Sequence, residues 1–284
     1  MYWLAIMVCC YAGLCVSCGD EEMSLVEYER RLVVEGRIEA GEYPEVTLTY
    51  SSSFAEDLDT TYLLQHVITS AKVTVSDGTN TEVLALGRNP GHIPPFKYYA
   101  TNLQGATGKT YHLKVEAQGQ VFTAETHIPA GTPLEEVTFR KGEPQDSTGH
   151  LYVRFRDDDP TVRKFFLFST RVVGKEHGFT PCLHGAVSNS LWQGQTLIEM
   201  QLNKGPIIYP KASYNTTFPV GEEVEVKLSV MPEHGYLFWA SWQEEVLNAQ
   251  NPIFPAYTSL KTNINNGIGL WCGYASTVYR LRTE

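Results

Sequence analysis

The chain has 284 residues, 43% apolar, 12% aromatic and 19% charged. Its 32 acidic and 22 basic side chains leave a formal net charge of −10 at pH 7, the wrong sign for a nucleic-acid binder or for charge-driven docking on anionic lipid. Apolar content at this level excludes a disordered chain and suffices for the cores of about two domains.

Residues 1–17 (MYWLAIMVCCYAGLCVS) carry no charge. The run is short of the ~20 residues a membrane-spanning helix needs and ends in small residues, so it reads as a signal peptide. Val16-Ser17-Cys18 at its end resembles a bacterial lipobox, which implies an acylated Cys18 as the mature N-terminus and a tether over 18–30. The string departs from that motif in having Cys15 where Leu is usual and no Lys or Arg before the apolar run; the competing reading is an ordinary cleaved signal with a spare thiol. Each buried lipid CH₂ contributes ~0.8 kcal/mol, so two or three acyl chains anchor firmly. Asp20-Glu21-Glu22 either begins a solvated tether or, as it resembles, is the acidic export signal of surface lipoproteins of Bacteroidota.

From Arg31 onward the chain alternates like a β protein. Candidate strands are Arg31–Ile38, Glu45–Ser51, Ala71–Ser76, Glu82–Leu86, Phe96–Thr101, Thr110–Ala117 and Gln120–His127. Asp77-Gly78 and Gln118-Gly119 supply hairpin turns. Seven short strands in about 100 residues predict an Ig-like β-sandwich over 31–130, although no Cys…Trp…Cys pin is present. Ile128–Pro133 breaks the pattern and marks a domain boundary. Beyond it, residues 134–284 predict a second β-rich domain, a sandwich or barrel, with strands over Leu151–Arg156, Phe165–Val173, Gln195–Leu202, Val224–Val230 and Gly269–Arg282. Tyr236, Trp239, Val246 and Leu247 keep helical spacing, which places one helix near 234–249. The fold class is therefore all-β, an Ig-like sandwich followed by a second β domain carrying one helix.

Catalytic motifs are absent: there is no Gly-x-Ser-x-Gly elbow, His-Glu-x-x-His helix or phosphate loop. Gly267-x-Gly269-x-x-x-Gly273 has the wrong spacing for a dinucleotide fingerprint and reads as a backbone feature. His177, Cys182 and His184 cluster in sequence, but Cys-x-His alone does not make a metal site. Asp157-Asp158-Asp159-Pro160 suits turn chemistry better than calcium. No catalytic residue, metal or cofactor is assigned. Once residues 1–17 are removed and Cys18 is lipidated, Cys182 and Cys272 are the remaining thiols; they form either a disulfide or two separate buried small apolar residues. Gly174–Val220 reads as a long loop span whose Trp192, Tyr209 and Tyr214 either contact a ligand or partner or cap the second β-domain.

Several strings, in order along the chain, carry a family resemblance: Leu32-Val33-Val34-Glu35-Gly36, Val46-Thr47-Leu48-Thr49, Ala71–Gly78 and Gly108-Lys109-Thr110-Tyr111, then Asn251-Pro252, Asn263–Gly269 and Gly273-Tyr274. Together they resemble the Bacteroidota lipoproteins filed as domain of unknown function family 4249. The sequence departs from that pattern at Trp271-Cys272, where a Phe-Gly-like pair is expected. The resemblance implies a lipid-anchored outer-membrane protein and tilts Asp20-Glu21-Glu22 toward cell-surface exposure, with the periplasmic face as the alternative. It also implies a role beside a TonB-dependent transporter; the rival expectation is a structural, assembly or adhesion protein of the envelope. It assigns no catalytic residue.

Overall fold

The computed structural model describes residues 30–51, 64–89, 94–206, 215–248 and 260–284. The chain forms β1 (Leu32–Glu39), β2 (Glu45–Tyr50), β3 (Lys72–Ser76), β4 (Thr81–Val83), β5 (Ala85–Arg88), β6 (Phe96–Tyr99), β7 (Thr110–Ala117) and β8 (Gln120–His127). There follow β9 (Leu134–Lys141), β10 (Thr148–Arg156), β11 (Phe165–Val172), β12 (Thr180–Ser188), β13 (Leu197–Leu202), β14 (Phe218–Pro219) and β15 (Glu223–Met231), then helix α1 (Glu233–Asn248) and β16 (Ile268–Arg282). The fold is mainly β and built as sandwiches; among the described residues no sheet closes into a barrel.

An eight-stranded sheet, in the order β12-β11-β15-β16-β1-β2-β6-β5, forms the backbone of the molecule. Its centre is β16, a 15-residue strand. The first half pairs in parallel with β1, from Ile268 opposite Val33 to Tyr274 opposite Glu39. The second half pairs antiparallel with β15, from Ala275 opposite Val230 to Arg282 opposite Glu223. Because strand side chains alternate with period two, Trp271 and Ala275 point into one core while Leu270, Cys272 and Tyr274 point to the opposite face.

Two smaller sheets cover the Trp271 face. The sheet β4-β3-β7-β8 closes the first core, where Leu32, Val34 and Ile38 of β1 meet Val73, Val75, Tyr111, Leu113, Val115 and Phe122. The sheet of β13, β10, β14 and β9 closes the second, where Leu151, Val153 and Phe155 meet Phe166, Phe168, Val224, Val226 and Leu228. On the other face lies α1, over Phe165, Leu167, Met231 and Tyr274. Each successive turn of α1 holds the sheet: Gly235 packs against the Cys272 sulfur, Trp239 Nε1 donates to the Tyr274 hydroxyl (2.9 Å), and Gln243 Nε2 donates to the Cys182 carbonyl (2.7 Å).

Three expectations change. The boundary at Ile128–Pro133 does not account for β16, because residues 264–275 complete the first core from beyond it. Local alternation reveals a strand but not its distant partner, and this pairing joins residues more than 200 positions apart. Gly174–Val220 is not one long loop; besides β13, where a strand over Gln195–Leu202 is expected, it contains β12 and a 3₁₀ turn at Asn189–Trp192. β12 escaped notice because His184, at positive φ (55°), interrupts its alternation with a bulge. The single strand expected over Glu82–Leu86 is two strands in different sheets, with buried Leu84 at the crossing. Of the two readings of Cys182 and Cys272, the structure has the second: both are free and buried, in different cores. Burial pushes the Cys182 thiol up to about 12, so it behaves as a small apolar residue.

A fragment of residues 31–133 should therefore fail to fold alone, since β1 would lack its parallel partner and the first core its largest ring. Addition of a peptide spanning 262–276 should restore dispersed amide resonances. A fragment that folds unaided would return the boundary to Ile128–Pro133.

Candidate functional site

Most of the family-like strings meet at one place, the junction of β1, β8 and β16. Trp271 is fully buried there, with its indole N–H donating to the Tyr111 carbonyl (3.1 Å). Gly36 leaves the room the ring needs, since a Cβ at that position would lie 2.7 Å from Trp271 Cε3. Val46 closes the same socket. Tyr111, at the start of β7, anchors the chain upstream: its hydroxyl accepts from Ala106 N–H (2.7 Å) and donates to the Gln104 carbonyl (3.2 Å). This is the tyrosine corner of Ig-like sandwiches.

Asn263–Asn266 seal the exposed edge of β8. Asn263 accepts from the Trp271 N–H (3.0 Å) and donates to the Trp271 carbonyl (2.8 Å), while Asn265 and Asn266 bond Thr123 and the Val121 carbonyl. Side-chain amides thus take the place of a neighbouring strand and block edge pairing. Gly269 adopts φ 116° and its Cα faces the Val34 carbonyl so closely that no Cβ fits. These motifs hold the fold.

The predicted contact residues separate. Tyr209 and Tyr214 lie outside the described residues, as do Cys18, Asp20, Glu21 and Glu22. Trp192 is half-buried: its ring packs on Phe155 and Phe166 at centroid distances of 5.8 and 5.7 Å, at the rim of the second core. Among the described residues its buried indole N–H meets no acceptor. What lies exposed at that end are aliphatic side chains the sequence reading passed over: Val162 (53%), Leu191 (65%) and Leu197 (47%). The loops carrying them are tied together, because Asn189 donates to the Val162 carbonyl (2.7 Å) and Asp157 N–H to the Thr196 carbonyl (2.8 Å).

Carboxylates elsewhere are engaged. Asp157 is fully buried in an ion pair with Lys164 and accepts from Asn189 (3.1 Å), and Asp159 accepts from Thr161 N–H in a turn (3.2 Å). Among the described residues no three His, Cys, Asp or Glu side chains converge as metal ligands. His184 is exposed on β12 while Cys182 points into the core. Ser76, His112 and Glu125 stand side by side on β3, β7 and β8, lining a shallow depression. His112 pairs with Glu125 (3.3 Å), but the Ser76 hydroxyl donates to the Asn80 carbonyl (2.8 Å) instead of the imidazole. That serine is not set up as a nucleophile.

The outer face of the large sheet carries a belt of ion pairs. Glu225 receives Arg171 and Arg280; Lys227 reaches Glu39 (2.6 Å); Glu45 receives Arg37 (2.9 Å) and Lys97 (3.2 Å). Burial would raise the Glu225 carboxyl, but the two guanidinium groups outweigh it and hold it below the ordinary range. Phe179 lies under both Arg171 (4.8 Å) and Lys227 (5.3 Å). The Lys227–Glu39 pair spans β16 and links the two halves.

The family model described as Domain of unknown function (DUF4249) matches residues 20–280. No curated protein matches the chain. Among solved structures, the crystal structure of the FN1–FN3 domains of chicken CNTN1 aligns at 10% identity and TM-score 0.23, covering 88% of this chain and 66% of that one.

Trp192→Ala should cost about 3 kcal/mol in urea denaturation, as for other buried rings, whereas Trp192→Phe, which removes the unpaired donor, should stay within about 1 kcal/mol of the parent. A near-neutral alanine variant would return Trp192 to the surface.

Proposed function

The chain belongs to the DUF4249 family, and from that membership together with its N-terminal string we propose that it is a non-enzymatic outer-membrane lipoprotein of a Bacteroidota cell, exposed on the surface. There it would assist a TonB-dependent transporter in capturing or delivering a nutrient. The observation that carries this reading is Val16-Ser17-Cys18 at the end of an uncharged apolar run, followed at once by Asp20-Glu21-Glu22. Cys18 supplies the anchor. Among the described residues no helix is long and apolar enough to cross a membrane.

A protein so anchored, with Asp157 and Asp159 engaged and its best-placed serine committed to a turn, acts by touching a partner. With Trp192 half-buried on the second core, the contact falls to the exposed Leu191 and Leu197 and to Val162, whose carbonyl accepts from Asn189 in the turn that carries Leu191. No observation names the nutrient.

A fatty-acid probe should label the parent and not Cys18→Ala; labelling of both defeats the anchor. Mild-detergent pull-down should recover one TonB-dependent transporter, and Leu191→Lys with Leu197→Lys should reduce that recovery at least several-fold without loss of folding. If no transporter co-purifies and deletion leaves nutrient uptake intact, a structural or adhesive role in the envelope replaces this one.

A further inference from the structure

Besides packing on β16, helix α1 reaches strand β8 of the first sandwich. His234, in the first turn of α1, places Nε2 3.1 Å from the hydroxyl of Thr126 on β8. That hydroxyl already accepts the Gly273 N–H of β16 (2.8 Å), so its own proton is left for the imidazole. With the hydroxyl proton directed at Nε2, that nitrogen accepts, as the unprotonated nitrogen of a neutral imidazole does.

We propose that His234 is an acid-sensitive latch that fastens the start of α1 to β8 and β16 and loosens when the ring is protonated. A second N–H on the ring would face the Thr126 hydroxyl and force it to redirect its proton. The cation would also sit at the positive end of the helix dipole.

The surrounding charges add to this. From β8, His127 stands near enough for a charge on it to oppose one on His234. Glu125, the nearest anion on β8, is already paired with His112 (3.3 Å). From β16, the Cys272 thiol and Tyr274 hydroxyl are buried and held neutral by that burial. On α1 itself, Glu233 pairs with Arg163 (3.1 Å). Burial first, then His127, lowers the His234 pKa below its ordinary 6.5. The unfolded or detached ring thus binds protons first, and the latch is complete above the ordinary value and lost as pH falls from there through the folded one.

Hydrogen exchange of the full chain tests this between about pH 7.5 and about pH 5.5, the range over which histidine titrates. After correction for intrinsic rates, amides of α1 should exchange several-fold faster at the acid end relative to those of β10. His234→Gln should abolish that step, and His127→Gln should keep it with a midpoint moved to higher pH. A step of equal size in His234→Gln, or none in the parent, overturns the latch. Should His234→Gln fail to fold, the imidazole resonances of the parent decide: titration below the ordinary histidine value, together with changes in α1, supports the latch, and titration at or above it overturns the latch.

Discussion

Everything in this molecule hangs on β16 serving two sandwiches at once. Its first half gives Trp271 to one core and its second half gives Tyr279 and Leu281 to the other, on the same face of the sheet. A fully buried tryptophan whose indole N–H reaches the Tyr111 carbonyl replaces the disulfide-and-tryptophan pin that stabilises many Ig-like domains. The opposite face of the same strand then supports α1 through Cys272 and Tyr274. One strand thereby fixes the positions of both cores and the helix, and the Lys227–Glu39 pair adds a polar tie across it.

Much of this architecture was legible in the residues. Lys72-Val73-Thr74-Val75-Ser76 alternates and is a strand with Val73 and Val75 buried. The helical spacing of Tyr236 and Trp239 marked α1 to within a residue at each end. What could not be read was long-range pairing. A strand's own pattern says which face is buried but not which strand lies beside it, so the parallel match of β1 with β16 was invisible. Trp271 stood out in the sequence only as a departure from a family pattern, though it is the ring around which the first core closes. β12 was hidden by a bulge, and for Trp192, open in the sequence between a contact and a cap, the packing on Phe155 and Phe166 is visible only in the fold.

The functional reading divides along the same line. Motifs that looked informative, the asparagines of 263–266 and the glycines around 269, turn out to be the means by which one strand edge is sealed and another strand is allowed close approach. The residues on which the proposed contact rests are plain: exposed Val162, Leu191 and Leu197, on loops tied together through Asn189 and Asp157. Such positions leave almost no sequence signature, because an exposed aliphatic residue has no spacing rule and becomes visible only when the fold brings several to one end. The proposed anchor, in contrast, rests entirely on one string of residues around Cys18.

Native-state hydrogen exchange on Trp271→Ala is the most direct test of the shared strand. Loss of a buried tryptophan should cost about 3–5 kcal/mol, and this account predicts that amides of β10 and β15, in the second sandwich, lose protection along with those of β1 and β7. Unchanged protection in β10 and β15, with loss confined to the first sandwich, would show that β16 joins two independent domains and would contradict the account.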